Sequence, residues 1–480
     1  MIRRLRAGVV LLGAVAIVSF ACDQAQPATR VVRLSAAAPH APPRRDPPPP
    51  PPAKPNILLI TLDTLRYDAT GLAPQGTNRT PFLRQLAANG VEFTHSYSTF
   101  DSTPESHFSL LTGFVSGWAT QPLDVKEHSL AYQLARDGYS TFGVVANGNL
   151  SRKFNQDVVA FSSYVCLADV WEGLTPEAKK GVLRPIDERI RHYDAPLNNF
   201  SEPALYMSAD RVLARFSKSV AAAKPPFFGF LNFFDCHDPY FPDPAHYDAD
   251  VEEQDIRPKG FVSDFRSRTL PEELTDPAKI ADPKKRALVT EALKAVSSRA
   301  WSTAFDLSPD VIRVYRKRYR AEVRELDDAV RRIFAILAEK KLLDSTVVII
   351  TSDHGEAFGE KHLITHSFNN EGDREATHRV PLLIVLPGSY RVSNHAVDVQ
   401  TSSADIAPTI YDLVGLDWSK LGDKTLPGRF GKSLLPYFWT APGKNPLRPI
   451  DADAETLSAA EQEAIHKEAE RRLRAFGYLR

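Results

Sequence analysis

Apolar residues in this chain follow two patterns. The first is the short unbroken run: Asn56 to Leu62 (NILLITL), Ser140 to Ala146 (STFGVVA), Phe227 to Phe233 (FFGFLNF), Thr346 to Thr351 (TVVIIT) and Pro381 to Leu386 (PLLIVL). Apolar runs of this length without polar alternation predict strands buried on both faces, as in a parallel sheet. The second pattern has helical spacing. From Tyr319 to Lys341 the residues Val323, Leu326, Val330, Ile333, Phe334 and Leu337 recur on one face, with charges opposite, which predicts an amphipathic helix. Shorter helices are predicted at 81–89, with Thr80 as N-cap, Pro81 first and Gly90 closing, and at 130–137, closed by Gly138. Strands alternating with helices indicate a layered α/β fold. The stretch from 170 to 315 is charged and interrupted by proline, apart from the run at 227. It reads as insertions around the sheet, with a lid among them. The last residues, 454–480, read as a charged amphipathic helix without evident chemistry, and no internal repeat is present.

The N-terminus has its own pattern. Arg3, Arg4 and Arg6 precede an apolar run from Ala7 to Ala21, too short for a confident membrane span and suited to an export signal. The run ends in Ala21-Cys22-Asp23, which resembles a bacterial lipoprotein processing site and makes Cys22 a candidate for lipidation. Ordinary cleavage near Ala21 and an uncleaved anchor are the alternatives. Residues 23–54 are rich in Ala and Pro, with prolines at every position from Pro47 to Pro52. Such a segment favours extended polyproline II and builds no core. The expected organisation is a leader at 1–22, a tether at 23–54, a folded domain at 55–440 and a helical tail at 441–480. Export to the periplasm or cell surface, with membrane attachment through leader or lipid, follows from this reading.

Charge narrows the partners. Lys plus Arg and Asp plus Glu number 59 each, so the chain lacks the basic surface that broad nucleic-acid binding requires. Three cysteines exclude a disulfide-stapled scaffold. With Cys22 in the leader, Cys166 and Cys236 offer one intrachain pairing at most, and their spacing suits no cysteine-based zinc site.

The candidate chemistry sits at strand ends. NILLITL runs into Asp63, and TVVIIT runs through Ser352 into Asp353-His354-Gly355. Ligands of open α/β sheets bind beyond the carboxyl ends of strands, where two acids can converge on one cation. Carboxylates with an imidazole suit manganese, zinc or magnesium. Thr103-Pro104 opens an apolar helical run ending in Leu111-Thr112-Gly113. Thr103 reads as its N-cap, with its hydroxyl in the positive field of the helix dipole. Next to a metal that field favours the alkoxide of an attacking threonine, and it also attracts a phosphate or sulfate. His237, in DCHDPY after the run at 227, and His366 are candidates for protonating a leaving group or binding an ester oxygen. His362 and His378 are weaker candidates. Each residue also has a bland reading: Asp63 as a turn former, Thr103 as a cap, the histidines as structural.

These residues belong to a longer set of motifs: NILLITLDTLR at 56–66, TPESHFSLLTG at 103–113, LARDGYSTFGVVAN at 134–147, DCHDPY at 235–240, TVVIITSDHGEAFGEKH at 346–362, HRVPLLIVLPG at 378–388 and DIAPTIYDLVGL at 405–416. In this order they resemble the sulfatase family within the alkaline phosphatase superfamily. The resemblance implies an alkaline-phosphatase-like mixed, mainly parallel sheet sandwiched between helices. It also implies one divalent metal (Mn, Zn, Mg or Ca) held by Asp63, Thr103, Asp353 and His354, and a nucleophile at Thr103. Two departures stand out. Sulfatases carry a Cys or Ser oxidised to formylglycine, followed by an arginine in the same motif. Here Thr103 and His107 occupy those places, which makes His107 a substrate-binding candidate. Thr64 stands where many sulfatases have another metal aspartate. The resulting set resembles that of phosphoethanolamine and lipoteichoic-acid-type transferases, which use threonine.

The function expected is an exported, metal-dependent hydrolase or transferase acting on phosphate or sulfate esters of a small molecule, lipid or glycan, through Thr103. The alternatives are a sulfatase using Ser102 or unmodified Thr103, and an inactive surface-anchored binding scaffold.

Overall fold

The run at Asn56–Leu62 forms the strand β1, in the interior of the sheet. The computed structural model describes residues 54–74, 79–115, 125–179 (except 153–154, 156–157 and 159), 207–248 (except 239), 283, 309–360, 364–366, 373–387, 392, 395–418, 421 and 430–438. The proposed leader, the body of the tether and the C-terminal tail lie outside these residues, as do His362 and Cys22.

The remaining strands of the main sheet are β2 (Val91–Tyr97), β3 (Ser140–Val145), β4 (Ser163–Cys166), β5 (Phe227–Phe233), β6 (Thr346–Thr351), β9 (Leu382–Val385) and β10 (Ala396–Ser402). Their order is β10-β2-β9-β6-β1-β5-β3-β4. All pairings are parallel except those of β9, which runs antiparallel to both β2 and β6. A separate pair, β7 (Ala357–Phe358) and β8 (Ile364–Thr365), lies in the connection between β6 and β9. The principal helices are α1 (Pro81–Ala87), α2 (Thr103–Thr112), α3 (Leu130–Arg136), α4 (Ala209–Ala222), α5 (Pro309–Glu339) and α6 (Ile406–Val414). The fold is the mixed, mainly parallel sheet between helices that the motifs imply. Among the described residues no helix is long and apolar enough to cross a membrane.

Strand residues alternate between faces, and the two cores follow that alternation. Leu58, Ile60 and Leu62 of β1 join Val348 and Ile350 of β6 in a core with Leu83 of α1, Phe216 of α4 and Val323 and Ile333 of α5. Ile57 and Leu59 join Val347 and Ile349 in the opposite core with Leu110 of α2, Leu134 of α3 and Ile410 of α6. Burial on both faces explains why these strands read as unbroken apolar runs.

Several elements depart from expectation. The long helix begins at Pro309 rather than Tyr319, because its first turns carry many charges that hide the apolar stripe. The stretch 170–315 is not only insertions. Within it Val212, Leu213, Phe216 and Val220 form the buried stripe of α4; a lid would fall on residues outside those described. The strands β2 and β10 are not apolar runs, since exposed or half-buried positions interrupt both. Cys166 and Cys236 are both buried and unbridged.

The start of α1 depends on a distant residue. Thr80 precedes the helix as expected, but its hydroxyl accepts from Gly71 N at 2.8 Å and caps nothing. Asp327 of α5 instead accepts from Phe82 N at 3.0 Å and Leu83 N at 2.9 Å. Burial pushes the Asp327 carboxyl up to about 6, against the pull of those two N–H groups. Asp327→Ala is expected to cost about 0.5–2 kcal/mol, the usual range for a lost cap, as measured by urea unfolding.

Candidate metal centre and active site

The strand alternation that divides the cores also gathers the polar site. On the α2 side of β1 the series Ile57, Leu59, Thr61 ends in Asp63; on β6 the series Val347, Ile349, Thr351 ends in Asp353. On β5, Phe228 and Phe230 lead to Asn232, and beyond β3, Val145 leads to Asn147. Hydrogen bonds join the four ends. Asp63 Oδ2 accepts from Asn147 Nδ2 at 2.7 Å and from Asn232 Nδ2 at 3.5 Å. Asp353 Oδ1 accepts from the backbone N–H of His354 at 2.8 Å and of Thr64 at 3.2 Å.

Helix α2 delivers Thr103 to the same place. Its N-cap is Ser102, with extended backbone (φ −147°, ψ 136°), and Thr103 is the first helical residue. This corrects the expectation of Thr103 as N-cap. The Ser102 hydroxyl donates to the Glu105 carboxylate, so Ser102 is engaged away from the acids. Thr103 Oγ1, released from capping, lies 3.4 Å from His354 Nε2 and 3.3 Å from Asn147 Nδ2.

Asp63 and Asp353 are both fully buried. Burial, then the neighbouring Asp353 charge, pushes the Asp63 carboxyl well above its ordinary range, with the Asn147 and Asn232 amides pulling the other way. Burial also opposes the charge on Asp353, but His354, His107 and the N–H groups of Thr64 and His354 outweigh it and hold Asp353 below its ordinary value. Two facing buried carboxylates cannot both be charged cheaply without a cation.

The donor set fits such a cation. Asp63 Oδ1 and Asp353 Oδ2 are buried and accept no hydrogen bond. His354 Nδ1 lies 2.9 Å from Gly355 O. A carbonyl can only accept, so Nδ1 carries the hydrogen, and in the neutral ring Nε2 presents a lone pair. Ligand atoms of Asp63, Asp353 and His354 all lie within 4.8 Å of one another. Oxygen and imidazole donors without thiolate suit Mn, Zn or Mg. Gly355 is required sterically, since a Cβ there would lie 2.1 Å from Ala376 O.

Beyond His354 lies a file of imidazoles. His366 packs 4.3 Å from the His354 ring, and His237 packs 5.0 Å from His366. Glu356, fully buried, accepts from His366 Nδ1 at 3.0 Å and from the Tyr240 hydroxyl at 3.0 Å. His237 stacks on Phe234 at 4.2 Å. His107 lies behind the acids: Nδ1 donates to Thr103 O at 2.8 Å, and Nε2 meets Thr61 Oγ1 at 3.0 Å. With the ring fully buried and both nitrogens engaged, His107 supports α2 and the acids from within the protein. Burial lowers its pKa, against the pull of Asp353. His378 is buried in a helical turn, with Nδ1 2.9 Å from Thr377 Oγ1. Thr64 turns its hydroxyl to Cys236 O at 2.8 Å, away from the acids. Asn147, Asn232 and Glu356 were not read as site residues; the signal for the two asparagines was an amide at the end of an apolar run, while Glu356, beyond Asp353-His354-Gly355, gave none.

Comparison with known proteins gives the same architecture. A family model described as Sulfatase matches residues 55–416. The chain is 25% identical to the multifunctional alkaline phosphatase superfamily protein PehA of Trinickia caryophylli, over 80% of this chain and 76% of that protein. It is 22% identical to a choline-sulfatase of Rhizobium meliloti, over 80% and 71%. The phosphonate monoester hydrolase of Agrobacterium radiobacter shares its fold, with a TM-score of 0.53 at 21% identity over 81% of this chain and 78% of that one.

Mn²⁺ or Zn²⁺ at ~100 times Kd is expected to stabilise the folded chain by about 2.7 kcal/mol, seen as a rise in thermal midpoint. Asp63→Asn is expected to abolish that rise. In chelator its midpoint should be no lower than wild type, because the substitution removes one of two opposed buried acids.

Proposed function

The chain belongs to the sulfatase family, and on that premise we propose that it is an exported, metal-dependent hydrolase or phospho-group transferase that acts on phosphate esters through Thr103. The observation that carries this reading is the position of Thr103 Oγ1, 3.4 Å from His354 Nε2 at the start of α2 and beside two buried acids. Threonine cannot be converted to formylglycine, so its hydroxyl acts as an alcohol, and phosphoryl transfer is the chemistry an alcohol nucleophile serves. The names of the relatives, a multifunctional alkaline phosphatase superfamily protein and a choline-sulfatase, span phosphorus and sulfur esters. Sulfate esters are the alternative substrate class.

Asp63, Asp353 and His354, with Thr103, would hold the cation, which when bound neutralises developing charge and favours the Thr103 alkoxide. Asn147 donates toward Thr103 Oγ1 and orients it. The α2 N-terminus attracts the anionic ester. Thr103 Oγ1 gives up its proton to solvent and bonds to phosphorus as the bond from phosphorus to the leaving oxygen breaks. His366 or His237 supplies the proton that the leaving oxygen takes up. Glu356 holds His366 at Nδ1, so a proton carried on its Nε2 is balanced by a buried carboxylate. Water or an alcohol then attacks phosphorus and releases Thr103. The leader at 1–22, the tether at 23–54 and Cys22 support export and attachment at the membrane, which would keep the chain near lipid or glycan esters.

Thr103→Ala is expected to lower turnover of p-nitrophenyl phosphate by at least ~10³-fold, with Thr103→Ser retaining measurable rate. An unchanged rate in Thr103→Ala, or cleavage confined to p-nitrophenyl sulfate, would overturn the assignment.

A further inference from the structure

The turn after β1 is strained. Thr64 has φ +58°, a left-handed conformation that costs a β-branched residue free energy and persists only where its surroundings impose it. The peptide that joins Asp63 to Thr64 is held at both ends: Cys236 Sγ donates to Asp63 O at 2.9 Å, and Thr64 N donates to Asp353 Oδ1 at 3.2 Å. The next peptide, from Thr64 to Leu65, must therefore take up the unusual rotation. Its N–H is held by Ser352 Oγ at 2.9 Å and Leu62 O at 3.1 Å, and its carbonyl accepts from the Tyr319 hydroxyl at 3.0 Å, the same hydroxyl accepting from Arg66 N at 2.9 Å. Tyr319 is buried in α5, and burial pushes its phenol well above the ordinary range, so the hydroxyl keeps its hydrogen.

We propose that Tyr319 is a positioning residue for the metal centre: its hydroxyl bridges the β1 turn, holds Thr64 in the left-handed conformation and so keeps Asp63 and Asp353 directed at one cation. If Thr64 relaxed to an ordinary conformation, the N–H that serves Asp353 would move with the turn. Tyr319 lies on the face of the sheet opposite α2, so the clamp joins the α5 layer to acids that point the other way. This inference rests on Asp63, Asp353 and His354 being a metal centre.

The test is calorimetric titration of the metal-free full chain with Mn²⁺ and with Zn²⁺. Wild type is compared with Tyr319→Phe, Thr64→Gly and the double variant. Tyr319→Phe is expected to weaken binding about tenfold or more, the usual cost of a lost outer-sphere partner. Thr64→Gly alone is expected to change it less than about threefold. The double variant is expected to recover most of the loss, because glycine adopts positive φ without strain and needs no clamp. Tyr319 as a mere packing residue would give no such recovery. Wild-type affinity in Tyr319→Phe, or a double variant as weak as Tyr319→Phe, overturns the proposal. If the wild-type chain takes up neither ion, the metal-centre reading itself falls and this one falls with it.

Discussion

Asp63 and Asp353 are buried side by side, and the rest of the site is arranged around that one unfavourable contact. A buried carboxylate is tolerated only with donors around it, and two together need a positive charge as well. The structure supplies donors to one oxygen of each acid: the Asn147 and Asn232 amides to Asp63, and two backbone N–H groups to Asp353. The other oxygens are left without hydrogens. His354 completes the opening with a lone pair. These groups are rigid because strand ends, a helix start and a strained turn hold them. A cation at this candidate centre would meet donors already held in place, and the helix carrying Thr103 is part of the same frame.

The alternation of strand residues makes this frame possible. Asp63 and Asp353 lie on the α2 side because each continues the odd-numbered series of its own strand, and β1 and β6 are parallel and in register. Asn232 and Asn147 follow the same rule on β5 and beyond β3. Four polar groups from four stretches of chain thus reach one point with no long side chain spanning the gap.

Much of this was legible in the sequence. The apolar runs located β1, β3, β5, β6 and β9, and the acids that end two of them come together with His354 as a candidate metal centre. The antiparallel direction of β9 was not legible, because a buried run has no polarity of its own. β2 and β10 were missed because half-buried polar residues broke their pattern. Thr103 was placed one residue too early in the helix: Ser102 and Thr103 are both capping types, and only the backbone torsions distinguish them. His107 looked like a substrate contact by position, but its ring turns inward to Thr61 and Thr103 O. Asn147 and Asn232 were passed over because a single amide in an apolar run carries no chemistry until its neighbours across the sheet are known.

The reversed strand has a further consequence. β6 ends at the acids and β9, paired beside it in the opposite direction, begins there, so the chain between them leaves and re-enters the sheet at the same end. That excursion carries His354, Glu356, His366 and His378. Its first residues are fixed by the site, since Gly355 has no room for a side chain against Ala376 O. His354, Glu356 and His366 thus reach the acids from a single connection on one side, while the sheet itself places Asp63 and the α2 helix.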